Sequence, residues 1–378
     1  MALLEHKQPK VAIVTDWMSS FGGETRVLLA MHEMFPEAPI FTTVYNPTAV
    51  PQFKNATVIT SFLDKIPFAR KKHQLFLGLM PLAFESFDLS EYDIVLSSSH
   101  ACSKGIITKV DTLHLCYCHT PMRYAWDDCH RYIRESAPMK VLGGRIIASL
   151  WLHSIRLWDR LAADRVDSFI ANSKYIKRRI EKYYQRDSKV IYPPIQTSNF
   201  QISSEEKTYY LAGGRLVQNK KFDLIVEAFN DLGYPLKIFG RGPQMEELQI
   251  RAKDNIEFLG FVSDEETAKL YANAKAYIVP QLEDFGITTV EALSAGTPVI
   301  GLRDGGTAEI VTDGVTGVLM DEQTSPCLIQ MVKKFEGMNF DSNVIRQAAL
   351  KYDVARFKRE LATFIQEEYE KWRAHNTI

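Results

Sequence analysis

Short apolar runs alternate with stretches of helical periodicity along nearly the whole chain, and this alternation limits the possible folds more than any other feature. Apolar runs of about four to eight residues between turn residues indicate buried strands. Strands that alternate with helices favour a parallel, doubly wound α/β sheet. The predicted strands are residues 10–16, 40–44, 93–98, 113–118, 168–171, 208–215, 236–239, 256–258, 276–279, 298–301 and 317–320.

A break in this pattern divides the chain into two predicted domains. A chain of 378 residues is too long for one ordinary core. The prolines of Tyr192-Pro193-Pro194-Ile195 interrupt the alternation, and the polar residues 196–207, which lack periodicity, predict a linker. We therefore predict an N-terminal domain over residues 1–195, a C-terminal domain over 196–353 and a long amphipathic helix over 354–378.

Composition restricts the environment and the partners of the chain. The formal net charge is -1, so no overall field attracts nucleic acid. No run of about 18 uncharged apolar residues predicts a membrane-spanning helix. Residues 1–7 lack the apolar centre of a signal peptide. The five cysteines are few and odd in number, which fits a reducing cytoplasm.

Three cysteines lie close together in the sequence, with histidines beside them. A metal site is one interpretation, but Cys-x-Cys is not a usual zinc spacing. Alternate residues of a strand point to the same face, so the first two cysteines are better explained as small core residues, and we predict no metal. The residues concerned are Cys116, Cys118, Cys129, His114, His119 and His130.

Glu283 and Glu291 flank a turn between a predicted strand and a helix predicted over residues 291–296. Such a strand-to-helix turn is the usual ligand crevice of an open α/β sheet. Gly286 lets the backbone approach a ligand, and N–H groups at a helix start attract an anion. One carboxylate on each side of an anion site suits a nucleotide-sugar, although two solvated surface charges would also explain the pair. The predicted donor-binding residues of this motif are Phe285, Gly286, Ile287, Thr288 and Glu291.

Arg215 and Lys220 form a second candidate group beside a glycine pair. Arg215 ends a predicted strand and Lys220 precedes a predicted helix over residues 222–230. Two cations at the end of a sheet match a diphosphate. Ordinary surface charge in a basic turn is the alternative interpretation.

The N-terminal domain contributes further candidates at the ends of its strands. His119 and Arg123 lie in a proline-containing loop after a predicted strand, and Arg123 is assigned to acceptor phosphate or hydroxyl groups. Asp16 ends the first strand, where it could orient an attacking hydroxyl or only cap a helix. Gly22 and Gly23 form a turn before a helix predicted over residues 24–35 and are assigned to donor binding, although they do not form Gly-x-Gly-x-x-Gly.

The glutamate motif and its surroundings resemble the donor site of retaining glycosyltransferases of family four, which have the GT-B fold. The similarity includes Phe285-Gly286-Ile287 between the glutamates and the run Ala-Gly-Thr-Pro-Val-Ile over residues 295–300. It extends from Lys10 to about Phe364 and is strongest toward bacterial mannosyltransferase-like members that build polysaccharides. The resemblance implies two Rossmann-like domains facing a central cleft, with a C-terminal helix that crosses back to the N-terminal domain.

The resemblance also implies roles for the candidate residues. Arg215 and Lys220 would neutralise the leaving nucleotide diphosphate, and His119 would reach the transferred sugar near the reacting carbon; with Glu283 they are the predicted catalytic residues. No Asp-x-Asp of metal-dependent glycosyltransferases is present, since Asp127 and Asp128 are adjacent. The implied reaction is transfer of mannose from GDP-mannose, with retention, to a glycan or polyprenyl-linked acceptor, without a cofactor.

Other functions remain open at this stage. A UDP-sugar donor on the same fold is one alternative, because no base-reading motif is visible. A nucleotide-sugar epimerase would share the fold but need no acceptor. An NAD(P)-dependent oxidoreductase would need the glycine fingerprint that the first strand lacks. A phosphorylase of the glycogen type would need a pyridoxal lysine, which is not recognisable.

Residues 65–80 mix a basic cluster with large apolar side chains, as interfacial helices do. Residues 139–158 could extend this surface. The sequence therefore predicts reversible attachment to an anionic membrane, in competition with two amphipathic helices packed into the N-terminal domain.

Overall fold

The computed structural model of the protein describes residues 9–135 and 144–376. They form two compact units. The first unit extends to Tyr192 and includes the chain again from Phe357, and the second extends from Pro193 to Arg356. Each unit is built on its own parallel sheet. Residues 1–7, considered above for a signal peptide, and the first residues of the 139–158 stretch lie outside the described residues.

The first unit contains a parallel sheet with the strand order β3-β2-β1-β4-β5-β6-β7. Its direction of winding reverses between β1 and β4, which are neighbours in the sheet. The strands are Val11–Thr15 (β1), Ile40–Thr42 (β2), Val58–Thr60 (β3), Ile94–Ser99 (β4), Leu113–Cys118 (β5), Ser168–Ala171 (β6) and Ser188–Val190 (β7). The helices are Gly23–Met34 (α1), Ala69–Lys72 (α2), Met80–Glu85 (α3), Cys129–Glu135 (α4), Gly144–Asp164 (α5) and Lys174–Tyr184 (α6).

The second unit repeats this plan with the strand order β10-β9-β8-β11-β12-β13. Here the winding reverses between β8 and β11. The strands are Tyr209–Gly213 (β8), Leu236–Phe239 (β9), Ile256–Gly260 (β10), Ala274–Val279 (β11), Val299–Leu302 (β12) and Gly317–Met320 (β13). The helices are Phe222–Leu232 (α7), Met245–Arg251 (α8), Asp264–Ala272 (α9), Ile287–Ser294 (α10), Gly305–Ile310 (α11), Ser325–Glu336 (α12) and Ser342–Leu350 (α13).

The central strands are almost entirely buried, which explains why their apolar residues occur in runs. All six residues of β4 and all six of β5 are buried. Cys116 and Cys118 on β5 lie in a core cluster with Phe169 and Tyr184. The prediction that these two cysteines are core residues is confirmed.

The last helix, Val354–Asn376 (α14), begins in the second unit and from Phe357 belongs to the first. Its apolar stripe includes Phe357 and Leu361, which are fully buried. The Phe357 ring lies 5.8 Å from the ring of Tyr117 on β5. The Lys358 amine is 2.7 Å from a carboxylate oxygen of Glu33 on α1. The helix therefore docks on the first unit through an apolar stripe with charged flanks.

The observed elements differ from the predicted ones at three places. The edge strands β3 and β7 were not predicted because each has only three residues and both are partly exposed, so neither forms an apolar run. Helix α10 starts four residues before the predicted helix and ends before Gly296, whose φ is 71°. The predicted linker is packed: Phe200 is buried, and the Ile195 N–H donates to the Tyr352 carbonyl oxygen at 3.0 Å.

Candidate functional site

The predicted cations and the glutamate motif meet at the carboxyl end of the second sheet, where its winding reverses. Arg215 follows β8, and Glu283 follows β11, the neighbouring strand. The Tyr277 hydroxyl on β11 donates to the Gly213 carbonyl oxygen at 3.0 Å and ties the ends of these strands together. Ligands of open α/β sheets bind at such a reversal point. The position is therefore the candidate donor site.

Lys220 and Glu283 are in direct contact. The Lys220 amine lies 2.6 Å from Oε1 of Glu283, and the Gln281 amide donates to the same oxygen at 2.7 Å. The side chains of Lys220 and Glu283 are 29% and 15% exposed, so both are accessible to a ligand. Arg215 is exposed. Lys220 is thus paired with Glu283, whereas Arg215 lies in solvent after the end of β8.

Two glycines hold the backbone of the glutamate motif in place. The Gly306 N–H donates to the Glu283 carbonyl oxygen at 2.8 Å. A Cβ added at Gly305, whose φ is 67°, would lie 2.5 Å from that same oxygen, and one added at Gly306 would lie 2.0 Å from the Phe285 carbonyl oxygen. No side chain fits at these distances. The start of α11 therefore fixes the loop that presents Glu283.

Gly286 and α10 position the second glutamate. Gly286 caps the helix with a φ of 104°, a conformation that favours glycine. Glu291 lies one turn into α10, is only 5% exposed, and has a carboxylate oxygen 3.4 Å from the Tyr271 hydroxyl. Ile287 and Thr288 are partly exposed at the helix start. This end of the helix carries the positive part of the helix dipole, which favours an anion there.

Phe285 acts as an anchor within this loop. Its ring is 3% exposed and meets the Tyr352 ring edge-on at 5.5 Å. The side chain is therefore committed to the interior of the second unit. The predicted contact of Phe285 with the nucleotide-sugar therefore falls to its backbone.

Asp16 is fully buried in the first unit, and backbone donors surround its carboxylate. One oxygen accepts the N–H groups of Cys102 and Ser103 at 2.6 and 2.7 Å. The other accepts those of His100 and Ala101 at 2.7 and 2.9 Å. Burial raises the pKa of Asp16, but His100, these N–H donors and Lys104 together hold the pKa below its ordinary value. The geometry favours the capping role over the predicted direct contact with an acceptor.

His119 follows β5 and is 9% exposed. Its Nε2 lies 2.8 Å from the Ser98 hydroxyl, and the Asn172 amide donates to its carbonyl oxygen at 2.9 Å. Burial lowers the pKa of His119 to about 3, with His100 contributing in the same direction. The imidazole is therefore neutral at physiological pH and held at the carboxyl end of the first sheet.

The remaining predicted residues also belong to the first unit. Gly22 is the N-cap of α1, and Gly23 is its first residue. The Gly22 N–H donates to the Thr25 hydroxyl at 3.1 Å. Arg123 is partly buried in the loop after β5, where its carbonyl oxygen accepts the Asp128 N–H at 2.9 Å. Nothing in these contacts assigns either glycine or Arg123 to a donor or an acceptor.

Comparison with known proteins supplies the family. A model described as Glycosyltransferase Family 4 matches residues 21–199, and one described as Glycosyl transferases group 1 matches residues 195–351. The chain belongs to the glycosyltransferases. An uncharacterized glycosyltransferase of Methanocaldococcus jannaschii is 32% identical over 174 residues, which are 44% of this chain and 49% of the relative. An O-antigen chain mannosyltransferase of Salmonella typhimurium is 26% identical over 220 residues, 55% of this chain and 62% of the relative.

The chain spans about half the length of the curated relatives it matches. Among solved structures, HepE of Anabaena in complex with UDP and glucose superposes with a TM-score of 0.70 at 16% identity, over 95% of this chain and 100% of that one. This similarity shows the fold. The predicted α/β architecture of this glycosyltransferase, with two Rossmann-like parallel sheets of the GT-B type, is confirmed.

Three residues near Asp16 were not singled out from the sequence. Trp17 follows Asp16, and His100 follows β4 with its Nδ1 3.1 Å from an Asp16 oxygen. His73 lies 54 residues from Ser19, yet its Nδ1 is 3.5 Å from the Ser19 hydroxyl. The strand-end argument that selected Asp16 and His119 would also have selected His100. No local signal identifies His73.

The basic and apolar segment of the glycosyltransferase is only partly buried. Ala69, Leu77 and Met80 lie in the core, whereas Phe68 and Leu75 are 78% and 76% exposed. The segment is therefore packed into the first unit along one side, as the predicted alternative requires, and exposes apolar side chains along the other. None of the described helices is both long enough and apolar enough to cross a membrane. Within residues 9–135 and 144–376, His, Cys, Asp and Glu side chains form no group of three placed to hold a metal ion.

Proposed function

We propose that this glycosyltransferase moves mannose from GDP-mannose to a glycan or lipid-linked acceptor, with retention and without a metal ion. The contact between Lys220 and Glu283 at the reversal point of the second sheet carries this proposal. It places a cation and a carboxylate together where the resembled family binds the diphosphate and the sugar of its donor. The mannosyl assignment is supported by the similarity to the O-antigen chain mannosyltransferase.

The chemistry of transfer explains why these groups are needed. Breaking the bond between the anomeric carbon and the phosphate leaves a diphosphate with additional negative charge. Fixed cations and helix N-termini stabilise such charge without reorganising during the reaction. In our proposal Lys220, Arg215 and the start of α10 act on the diphosphate, so no metal ion is required.

The two glutamates are assigned different roles. Glu291 is buried on α10 behind the helix start, so we assign it to the ribose hydroxyls of the nucleotide. Glu283 holds the Lys220 amine, and we assign its carboxylate to a hydroxyl of the sugar. The acceptor is assigned to the first unit, where the neutral His119 imidazole can share a hydrogen bond with a sugar hydroxyl without adding charge.

A UDP-sugar is the second candidate donor. The structural neighbour HepE was solved in complex with UDP and glucose. Thermal unfolding in the presence of GDP and of UDP separates the candidates, because a nucleotide that binds the folded state raises the unfolding temperature. A larger shift with UDP would transfer the proposal to UDP-sugars.

The variant Lys220→Ala tests the role of the cation. Loss of one fixed group that stabilises a developing anion costs about a hundredfold or more in turnover. The matched control is Lys269→Ala, because the Lys269 amine also lies 2.7 Å from a carboxylate, that of Glu265, but on an exposed helix. We expect the control to keep wild-type turnover, and wild-type activity to persist in excess EDTA.

Two results would contradict the proposal. Near-normal turnover of Lys220→Ala, or loss of wild-type activity in EDTA, would exclude the metal-free stabilisation of the diphosphate. Conversion of the nucleotide-sugar to an isomer at the same rate with and without acceptor would instead indicate an epimerase.

We also propose that the first unit attaches to an anionic membrane surface. Phe68 has a φ of 66°, which is costly for a bulky residue, and its ring is nevertheless exposed. Lys71 and Lys72 lie beside it in the exposed α2 helix. Other exposed apolar residues lie on α3 and α5, and the Trp158 indole of α5 donates to Glu85 of α3 at 2.9 Å. The exposed apolar residues of these segments are Phe68, Leu75, Leu79, Leu82, Ile146, Ile147, Leu150, Leu157 and Leu161.

Vesicle flotation tests this attachment. The Arg70 guanidinium is paired with Asp64 through two hydrogen bonds of 2.8 and 2.6 Å, so we assign the exposed Lys71 and Lys72 of α2 to the lipid contact. Each basic side chain near an anionic surface contributes about 1 kcal/mol. Wild type should float with phosphatidylglycerol vesicles at low salt and less at high salt.

The doubly substituted variants Lys71→Ala with Lys72→Ala, and Phe68→Ser with Leu75→Ser, should each float poorly. The matched control is Ile250→Ser, which removes a 79% exposed apolar side chain from the second unit. Equal flotation of all variants, or none by wild type, would refute the membrane proposal and leave the transferase proposal intact.

A further inference from the structure

Three neighbouring strands of the first sheet end in a row of aromatic and imidazole side chains. Trp17 follows β1, His100 follows β4 and His119 follows β5, and these strands are adjacent in the sheet. The His100 ring is 4.4 Å from the Trp17 ring, nearly perpendicular to it, and 6.3 Å from the His119 ring. The row therefore runs across the point where the winding of the first sheet reverses, the usual place for a ligand.

His73 closes the row beside Trp17. Its ring centroid lies 4.5 Å from that of Trp17, with an interplanar angle of 32°. It belongs to the 3-10 turn that follows α2, within the proposed membrane-facing segment. Trp17, His73 and His100 are each partly exposed, so their rings form a surface rather than a core.

The Asp16 carboxylate lies against the His100 ring. The carboxylate is immobilised by four backbone N–H groups, and His100 Nδ1 lies 3.1 Å from one carboxylate oxygen. The Nδ1 side of the ring therefore faces Asp16, and Nε2 is the nitrogen that can share a hydrogen bond with a hydroxyl of a ligand.

The charge of this surface suits a neutral ligand. Burial lowers the pKa of His73 to about 4, with His100 contributing, so this imidazole is neutral at physiological pH. The negative carboxylate of Asp16 lies directly behind the row. A phosphate would be repelled by the Asp16 carboxylate, whereas a sugar ring offers apolar faces and neutral hydroxyls. Aromatic walls with a few fixed polar groups are typical of such small-molecule sites.

We propose that Trp17, His73 and His100 form the subsite for a neutral sugar ring of the acceptor, in which Trp17 packs against the ring and His100 shares a hydrogen bond with one of its hydroxyls. The inference rests on the proposed function, because an acceptor sugar is required only if the protein transfers a hexosyl unit.

The test uses methyl α-D-mannopyranoside as a neutral probe and inorganic phosphate as a charged one. Imidazole signals of the full chain labelled in histidine are followed by NMR, with the exposed His130 as the internal reference. We expect the glycoside to shift the signals of His73 and His100 in a saturable manner at millimolar concentration, and to leave His130 unchanged. Phosphate should leave all of them unchanged.

Variants then distinguish loss of a direct contact with the glycoside from a general disturbance of the fold. Trp17→Ala and His73→Gln should each weaken glycoside binding at least tenfold and leave GDP affinity unchanged. The matched control is Trp372→Ala, which removes a tryptophan that stacks on Tyr369 of α14, far along the chain from the row. His100→Gln should behave like His73→Gln, and the latter keeps the test valid if the Asp16 loop does not tolerate substitution.

The possible results are distinct for the two proposals. Absence of saturable shifts in His73 and His100, stronger binding of phosphate, or unchanged glycoside affinity in both Trp17→Ala and His73→Gln would overturn the subsite. Saturable glycoside binding by a protein that transfers no sugar from GDP-mannose or a UDP-sugar would support the subsite as a sugar site while refuting the proposed transferase function.

Discussion

Replacing Asp16 by asparagine isolates the contribution of one buried carboxylate to the first unit. In the wild type each carboxylate oxygen accepts two backbone N–H groups from residues 100–103. Asparagine keeps one oxygen and turns an NH₂ group toward the other two donors. A buried donor without an acceptor costs about 1–3 kcal/mol, so the expected loss in the free energy of unfolding is roughly 2–6 kcal/mol.

Urea unfolding followed by tryptophan fluorescence measures the stability of the first unit, which contains Asp16. The five tryptophans, Trp17, Trp126, Trp151, Trp158 and Trp372, all belong to the first unit. The matched control is Asp111→Asn, which changes an exposed carboxylate of the same unit. A difference between the two variants below about 1 kcal/mol would refute the reasoning, since it would fall below the cost of even one unsatisfied donor.

The pH dependence provides a second check on the same variant. The pKa of Asp16 is held below its ordinary value, so the folded state binds this proton less readily than the unfolded state. The carboxylate therefore stabilises the fold above about pH 3.9, the unfolded value, and this stabilisation is lost as the pH falls through the folded value. The difference in stability between wild type and Asp16→Asn should narrow below about pH 4, and a constant difference would contradict the charge argument.

Three further predictions concern both units. Glu291→Gln should weaken binding of GDP measured by calorimetry, whereas Glu283→Gln should leave that affinity near wild type and lower turnover; equal loss of affinity would contradict the division. Gly306→Ala should lower the unfolding temperature of the second unit, because its Cβ would lie 2.0 Å from a backbone oxygen, whereas Gly337→Ala, with 3.6 Å, should not. Burial lowers the pKa of His119 to about 3, so the unfolded state takes up a proton below about pH 6.5 that the folded state does not. Stability of the first unit should therefore fall between pH 6.5 and 4, and His119→Asn should reduce this slope in urea unfolding; an unchanged slope would show that His119 is not responsible.

Apolar runs made the central strands predictable. The predicted strand at residues 113–118 coincides with β5, all of whose side chains are buried. Edge strands β3 and β7 escaped prediction because half-exposed three-residue strands carry no such run. The sequence by itself thus determined the α/β class, the two-unit organisation and the motif loops, since burial in a parallel sheet imposes an apolar pattern on every central strand.

Only the tertiary structure decided which candidate residues meet. Lys220 and Glu283 are 63 residues apart and touch because β8 and β11 are neighbours in the sheet. Asp16 reaches the loop after β4 because β1 and β4 are neighbours in the first sheet. Its carboxylate there accepts hydrogen bonds from four backbone N–H groups. His73 joins Trp17 through a turn with no local signal. The order of strands in a parallel sheet is set by packing between distant segments, so a single sequence indicates which residues stand at strand ends but not which of those ends are adjacent.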